Sequence, residues 1–173
     1  MATVAGVMFR AATVDDARAI AEVHVASWRW AYDGLLPQTV LDGLSVDERA
    51  RGWTPIVAAD PRSVVVALDG DRVIGFASVG PTRDDDPPPG TGEVFALYLV
   101  PEVAGTGVGE ALLRRAEARL RETGFVRATL WVLETNERAR RFYERCGWSW
   151  DGTTGEHRFD CGNRPIVRYG EPL

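Results

Sequence analysis

Three alternating glycines, Gly105, Gly107 and Gly109, stand between an apolar run at residues 94–100 and an amphipathic stretch. The run is rich in aromatic and branched side chains and too short for a helix, so it predicts a buried strand that ends at Pro101. After the glycines, apolar residues recur every three to four positions, which predicts a helix. A strand, a glycine-rich turn and a helix leave free backbone N–H groups at the helix N-terminus. Such a site binds a phosphate or a pyrophosphate.

Two common phosphate-binding motifs do not fit this turn. The dinucleotide pattern GxGxxG, started at Gly105, places Glu110 where the last glycine belongs. A Walker A loop needs a lysine after its last glycine, and all 20 basic residues of this chain are arginine. The turn therefore predicts a phosphate site of another kind.

Composition limits the class of protein. The chain has 173 residues, 45% of them hydrophobic, which predicts a single domain over residues 1–173. A net charge of −5 argues against nucleic acid as the main partner. We expect no signal peptide and no membrane span, since no run approaches the roughly 18 apolar residues that a span needs. Cys146 and Cys161 are isolated, so we expect free thiols, no metal and a cytoplasmic protein, either a monomer or a homodimer.

The N-terminal part predicts a strand at Val7–Ala11 and then a helix whose N-cap is Thr13. His24 lies in the apolar stripe of this helix, and a packed histidine is favoured there over a catalytic one. Three aromatic residues follow near the helix end, and they either line an acceptor pocket or complete the core: Trp28, Trp30 and Tyr32.

The middle of the chain predicts a helix, a hairpin and a loop. Ser45 begins a capping box for a helix that ends before Pro61, and residues 63–68 and 72–79 predict strands joined at residues 69–71. The loop at residues 81–92 carries Asp84, Asp85 and Asp86 and predicts a mobile segment without packing residues. Solvated surface is the favoured interpretation of its charges. The alternative is an acidic lid that attracts cationic substrates.

The last third predicts a strand at residues 128–133, a short helix at residues 136–147 and a closing strand at residues 166–169. Asn136 and Tyr143 are seven residues apart, so they share one face of that helix, with Ala139 between them.

Two segments resemble motifs of the GNAT superfamily of acetyltransferases. Residues 104–109 resemble motif A, [Q/R]-x-x-G-x-G/A, in which Ala104 replaces the Gln or Arg. Residues 130–148 resemble motif B, a strand followed by N-x-x-A-x-x-x-Y-x-x-x-G-[FW], and the matching positions are Asn136, Ala139, Tyr143, Gly147 and Trp148. The resemblance implies an α/β fold with a mixed, mostly antiparallel sheet of about six or seven strands, splayed central strands and about four helices.

The resemblance also implies a site for acetyl-CoA as co-substrate. The pyrophosphate would bind the amides of the glycine turn, and pantetheine would lie along the central strand. The implied cofactor-binding residues are Leu97, Tyr98, Leu99, Gly105, Thr106, Gly107, Val108, Gly109, Glu110, Asn136 and Tyr143.

The implied reaction is direct transfer of an acetyl group to an amine. The Leu99 amide would polarise the thioester carbonyl, Tyr143 would protonate the departing thiolate, and Glu93 would take the proton of the amine through water. A small-molecule amine is the expected acceptor. Some protein N-terminal acetyltransferases of the family carry a Glu at the position of Trp131, so this departure disfavours a protein acceptor. A protein amine acetyltransferase and a non-catalytic acyl-CoA sensor are the alternatives.

Overall fold

The computed structural model describes residue 4, residues 6–85 and residues 87–173. It contains a seven-stranded sheet in the order β1-β2-β3-β4-β5-β7-β6, in which β4 and β5 form the parallel pair and the other neighbours are antiparallel. The strands are β1 (Val7–Ala11), β2 (Val64–Asp69), β3 (Arg72–Pro81), β4 (Thr91–Leu99), β5 (Arg127–Leu133), β6 (Ser149–Phe159) and β7 (Gly162–Pro172). The helices are α1 (Ala17–Ala31), α2 (Gln38–Asp42), α3 (Val46–Ala59), α4 (Val108–Glu122) and α5 (Glu137–Arg145). The predicted fold class is confirmed.

Helices cover both faces of the sheet. Gly75 and Leu99 are opposite one another in β3 and β4, and the Cβ position of Gly75 lies against Leu112 of α4. The neighbouring residues Phe76 and Tyr98 face His24 of α1 instead. Because successive side chains of a strand point to opposite faces, α1 and α4 lie on opposite sides of the sheet. Among the described residues, no helix is both long and apolar enough to cross a membrane.

Local sequence signals account for several element boundaries. The first helix begins after a 3₁₀ turn at Val14–Asp16, where the Asp16 carboxylate accepts the Thr13 N–H at 2.6 Å. The Ser45 hydroxyl accepts the Glu48 N–H at 3.3 Å at the start of α3. The predicted strand β1 and the turn between β2 and β3 are confirmed.

Two predictions of secondary structure are wrong. The short helix α2 was not expected, since Pro37 and Gly43 bound only five residues between them. The closing strand was predicted at residues 166–169, yet β6 and β7 each run for 11 residues and form a long hairpin. The two strands pair from Ser149 with Gly170 to Phe159 with Gly162, apart from an irregularity between Trp150 and Thr154, and this pairing keeps the segment extended.

Candidate active site

The central strands form a fork. Parallel pairing of β4 with β5 is confined to three positions, of which Glu93 with Thr129 is the last. Beyond it the strands separate, while β4 stays paired with β3 and β5 with β7. The splayed strands that the resemblance implied are thus observed. A cleft of about 690 Å³ lies in the fork, within the range of about 300–1,000 Å³ typical of ligand pockets.

The open edge of β4 offers backbone groups to this cleft. The Val100 N–H donates to the Ile74 carbonyl of β3 at 2.9 Å. Hydrogen bonding alternates along an antiparallel pair, so Tyr98 also bonds towards β3, whereas the amides of Leu97 and Leu99 point to the open edge. Both leucines and Tyr98 line the cleft.

The glycine turn lies at one end of the cleft and leads into α4. Gly105 and Gly107 have φ angles of +78° and +91°, in a region that side chains with a Cβ rarely adopt. The first hydrogen bond of α4 runs from the Ala111 N–H to the Gly107 carbonyl at 3.0 Å, so the N–H groups of residues 108–110 have no helical partner. The Thr106 side chain is outside the cleft wall, since its hydroxyl donates to the Val103 carbonyl at 2.7 Å. Val108 is buried and is not among the residues that line the cleft.

One face of α5 forms the opposite wall. Asn136, Ala139 and Tyr143 all line the cleft, as their spacing predicted. The Asn136 side-chain oxygen accepts the Ala139 N–H at 3.1 Å and so caps the helix. Its amide nitrogen donates to no acceptor in the described part of the chain, which leaves this donor for a ligand.

Three tyrosines, Tyr32, Tyr98 and Tyr143, line the cleft. Burial raises the pKa of Tyr143 above its ordinary value of 10.0, and the nearby Tyr98 and Cys146 add to the increase. Burial also raises the pKa of Tyr32 well above the ordinary value, and Tyr98 and Tyr143 contribute. Burial raises the pKa of Tyr98 too, so all three hydroxyls stay protonated at neutral pH.

Glu93 lies at the base of the fork and not on the cleft wall. Its side chain is 2% exposed, and one carboxylate oxygen is 2.6 Å from the Arg83 guanidinium. The other oxygen accepts the Arg83 backbone N–H at 2.9 Å. Direct contact of this carboxylate with a ligand in the cleft is therefore excluded in this conformation, and a role through water stays a prediction.

The aromatic residues of α1 divide into two groups. Trp30 and Tyr32 line the cleft, and the Arg138 guanidinium lies 3.6 Å from the centre of the Trp30 ring. Trp28 is not on the wall, because its ring packs against Tyr32 and Phe159. Its assignment as a substrate contact stays a prediction, and the packing fits the alternative that it completes the core. His24 is the packed histidine that was expected, with its Nδ1 atom accepting the Trp53 indole N–H at 3.1 Å.

The loop before β4 differs from its prediction. Asp84 is bound on both oxygens: one accepts the Trp131 indole N–H at 3.0 Å, and the other is 2.7 Å from Arg168. The interpretation of this loop as a solvated segment without packing contacts is therefore wrong for Asp84. Asp85 is exposed, and Asp86 lies outside the described residues.

Sequence reasoning missed several cleft residues. Phe95 occupies a bulge of β4, since Val94 and Ala96 pair with the consecutive residues Val79 and Ser78. Arg138 was also missed, because a charged residue in a surface helix carries no signal of its contact with α1. No group of three or more His, Cys, Asp or Glu side chains in the described ranges could hold a metal ion.

Comparison with known proteins agrees with this architecture. The model of the acetyltransferase (GNAT) family matches residues 20–148. The chain belongs to this family, and it is an acyltransferase. An uncharacterized N-acetyltransferase of Bacillus subtilis, YuaI, is 37% identical over 131 residues, which cover 75% of this chain and 73% of that protein.

Other relatives match over shorter stretches or by fold. The mycothiol acetyltransferase of Geodermatophilus obscurus is 38% identical over 92 residues, 52% of this chain, and the match spans only 30% of that protein. The structure of PaiA N-acetyltransferase from Thermoplasma acidophilum in complex with coenzyme A has a TM-score of 0.73 at 19% identity, covering 96% of this chain and 99% of that one. YncA from Salmonella typhimurium, solved with its cofactor acetyl-CoA, has a TM-score of 0.70 at 21% identity over 97% of this chain and 94% of its own. At these identities the structural likeness shows the fold alone.

Proposed function

We propose that this acyltransferase moves the acetyl group of acetyl-CoA directly to the primary amine of a small molecule. The observation that carries the proposal is the fork between β4 and β5, which joins an open strand edge to the free N–H groups of α4. The PaiA and YncA structures were solved with coenzyme A and acetyl-CoA, which supports the same co-substrate here.

The residues of the cleft fit the parts of acetyl-CoA in order. The amides of Gly105 and of residues 107–110, at the positive end of the α4 dipole, would hold the pyrophosphate, whereas the Thr106 N–H donates to the Val103 carbonyl at 3.3 Å. The amides of Leu97 and Leu99 and the free side-chain nitrogen of Asn136 would bind the polar groups of pantetheine. The side chain of Ala104 adds no donor, so backbone groups carry the binding.

In this proposal two groups of the chain assist the transfer. The Leu99 N–H donates towards the thioester carbonyl and stabilises the negative charge that develops there. Tyr143 gives its hydroxyl proton to the departing thiolate. Because burial raises the pKa of Tyr143, its hydroxyl keeps this proton at every pH below the pKa of an ordinary phenol.

The amine must lose a proton, and Glu93 is the carboxylate at the base of the fork. Since Arg83 occupies both of its oxygens, we propose that the proton reaches Glu93 through water. The value of kcat/KM should then rise with pH towards the pKa of the amine. Glu93→Gln should reduce this rise of kcat/KM with pH more than it raises the KM for acetyl-CoA. Glu22→Gln, on the exposed side of α1, should change neither the pH dependence nor this KM.

We place the small acceptor at the aromatic part of the cleft wall, to which Trp30, Tyr32, Phe95 and Trp131 contribute. A panel of small primary amines, peptide N-termini and hydroxyl analogues, read by release of the free thiol, tests the proposal. We expect a primary amine of low molecular weight to react fastest. A hydroxyl compound or a peptide that reacts faster than every small amine would contradict it.

A further inference from the structure

Two consecutive loop residues attach to the two strands that separate in the fork. Arg83 binds the β4 side: its guanidinium pairs with Glu93 at 2.6 Å and lies 4.4 Å from the centre of the Phe95 ring. Asp84 binds the β5 side through the Trp131 indole N–H at 3.0 Å. A bridge between β4 and β5 therefore passes through one peptide unit at the base of the fork.

The β5 end of this bridge is anchored further by β7. Arg168 of β7 pairs with Asp84 and with Asp151, each at 2.7 Å, and donates to the Thr153 hydroxyl at 2.9 Å. Only 17% of the Asp84 side chain and 19% of the Arg168 side chain are exposed, so water screens this pair less than it screens a surface pair. Charge-assisted hydrogen bonds in such a setting fix geometry well. The Trp131 ring is thus held at one orientation.

The side chains that the bridge holds are walls of the cleft. Phe95 and Trp131 both line it, each two residues beyond the last pair that joins β4 to β5, Glu93 with Thr129. No strand ladder sets the distance between them at that level. In the described part of the chain, Arg83 contacts the Phe95 ring and its neighbour Asp84 contacts the Trp131 ring. These two contacts connect both rings to the same loop.

We propose that Arg83 and Asp84 bridge the fork, set the separation of Phe95 and Trp131, and thereby determine the size of acceptor that the enzyme admits. The proposal rests on the proposed function, in which the amine is bound at this end of the cleft. Neither residue lines the cleft, so both are positioning residues that act through the two rings. The glycine turn and Tyr143 are not in contact with the bridge, and acetyl-CoA binding should be independent of it.

Kinetics with a short and a bulky amine test the specificity. Asp84→Ala removes the acceptor of the Trp131 N–H and frees the ring, so kcat/KM for the bulky amine relative to the short one should rise about tenfold, within the usual range of coupling between residues in contact. The KM for acetyl-CoA should change less than about twofold, as expected when binding of that substrate is left intact. Asp84→Asn keeps an oxygen that can accept the indole N–H and should restore most of the selectivity. Asp85→Ala, the same change at the exposed neighbour, should leave the ratio at the wild-type value.

A second readout does not depend on activity. The indole N–H signal of Trp131, assigned in ¹H–¹⁵N spectra by its loss in Trp131→Phe, should shift and exchange faster in Asp84→Ala and stay in place in Asp85→Ala. An unmoved signal would overturn the bridge even if no amine were acetylated. Absence of acetylation in the wild-type enzyme would instead refute the proposed function.

Three kinetic outcomes would overturn the role in specificity. One is an equal effect of Asp84→Ala and Asp85→Ala, and another is a KM for acetyl-CoA that rises as much as that for the amine. Should Asp84→Ala fail to fold by circular dichroism, Arg83→Gln releases the Phe95 end of the same bridge. The third outcome is an unchanged ratio of kcat/KM between the bulky and the short amine in Arg83→Gln.

Discussion

His24 should make the folded protein sensitive to mild acid. Burial, together with the positive charge of Arg49, lowers the pKa of this imidazole from 6.5 to about 3. Its Nδ1 atom accepts the Trp53 N–H, and the ring stacks on Tyr98 with centroids 5.0 Å apart. Its Nε2 atom has no hydrogen-bond partner in the described part of the chain. Protonation would place an unpaired charge in this aromatic cluster.

The sign and size of the effect follow from linkage. Between pH 6.5 and about pH 3 the unfolded chain binds a proton at His24 and the folded chain does not, so stability falls as the pH falls. The slope is about 1.4 kcal/mol per pH unit, which amounts to about 2 kcal/mol between pH 7.5 and pH 5. Above pH 6.5 both states are neutral at this residue and the contribution is constant.

Urea unfolding at pH 7.5, 6.0 and 5.0 measures this contribution. In His24→Gln, whose amide oxygen can still accept the Trp53 N–H, the loss of stability on acidification should be smaller than in the wild type by about 2 kcal/mol. His157→Gln removes the other histidine, which is exposed, and should keep most of the acid sensitivity. Equal slopes in His24→Gln and the wild type would refute a neutral, buried His24.

Further predictions concern the cleft. Tyr143→Phe should lower kcat by about 100-fold, the scale of general acid catalysis, with the Kd for acetyl-CoA unchanged. Tyr169→Phe, whose lost hydroxyl bonds Glu144 outside the cleft, should keep its kcat, and a wild-type kcat in Tyr143→Phe would remove Tyr143 from the mechanism. Gly107→Glu should abolish calorimetric binding of acetyl-CoA and leave the circular dichroism spectrum intact. Gly124 also has a positive φ, +92°, but it lies beyond the far end of α4. The Gly124→Glu variant should therefore bind acetyl-CoA normally. Equal affinities of the two glutamate variants would show that the pyrophosphate binds elsewhere.

The parts of the site that local patterns encode could be predicted from the sequence. The strand, the glycine turn and α4 follow from hydrophobic period and from the need for positive φ at Gly107, and the shared face of Asn136 and Tyr143 follows from helical spacing. The pairing of Asp84 with Arg168 could not, since the partners are 84 residues apart and no local rule joins them. The ion pair between Arg83 and the buried Glu93 likewise depends on tertiary packing.

The most direct test of the central claim is to quantify both products of one reaction. Acetyl-CoA and the best small amine are incubated with the enzyme, and free thiol and N-acetylated amine are measured in the same samples. Direct transfer predicts one acetylated amine for each thiol, with no thiol released and no mass added to the protein when the amine is omitted. Thiol release without the amine, or an acetylated protein intermediate, would contradict direct transfer in the fork.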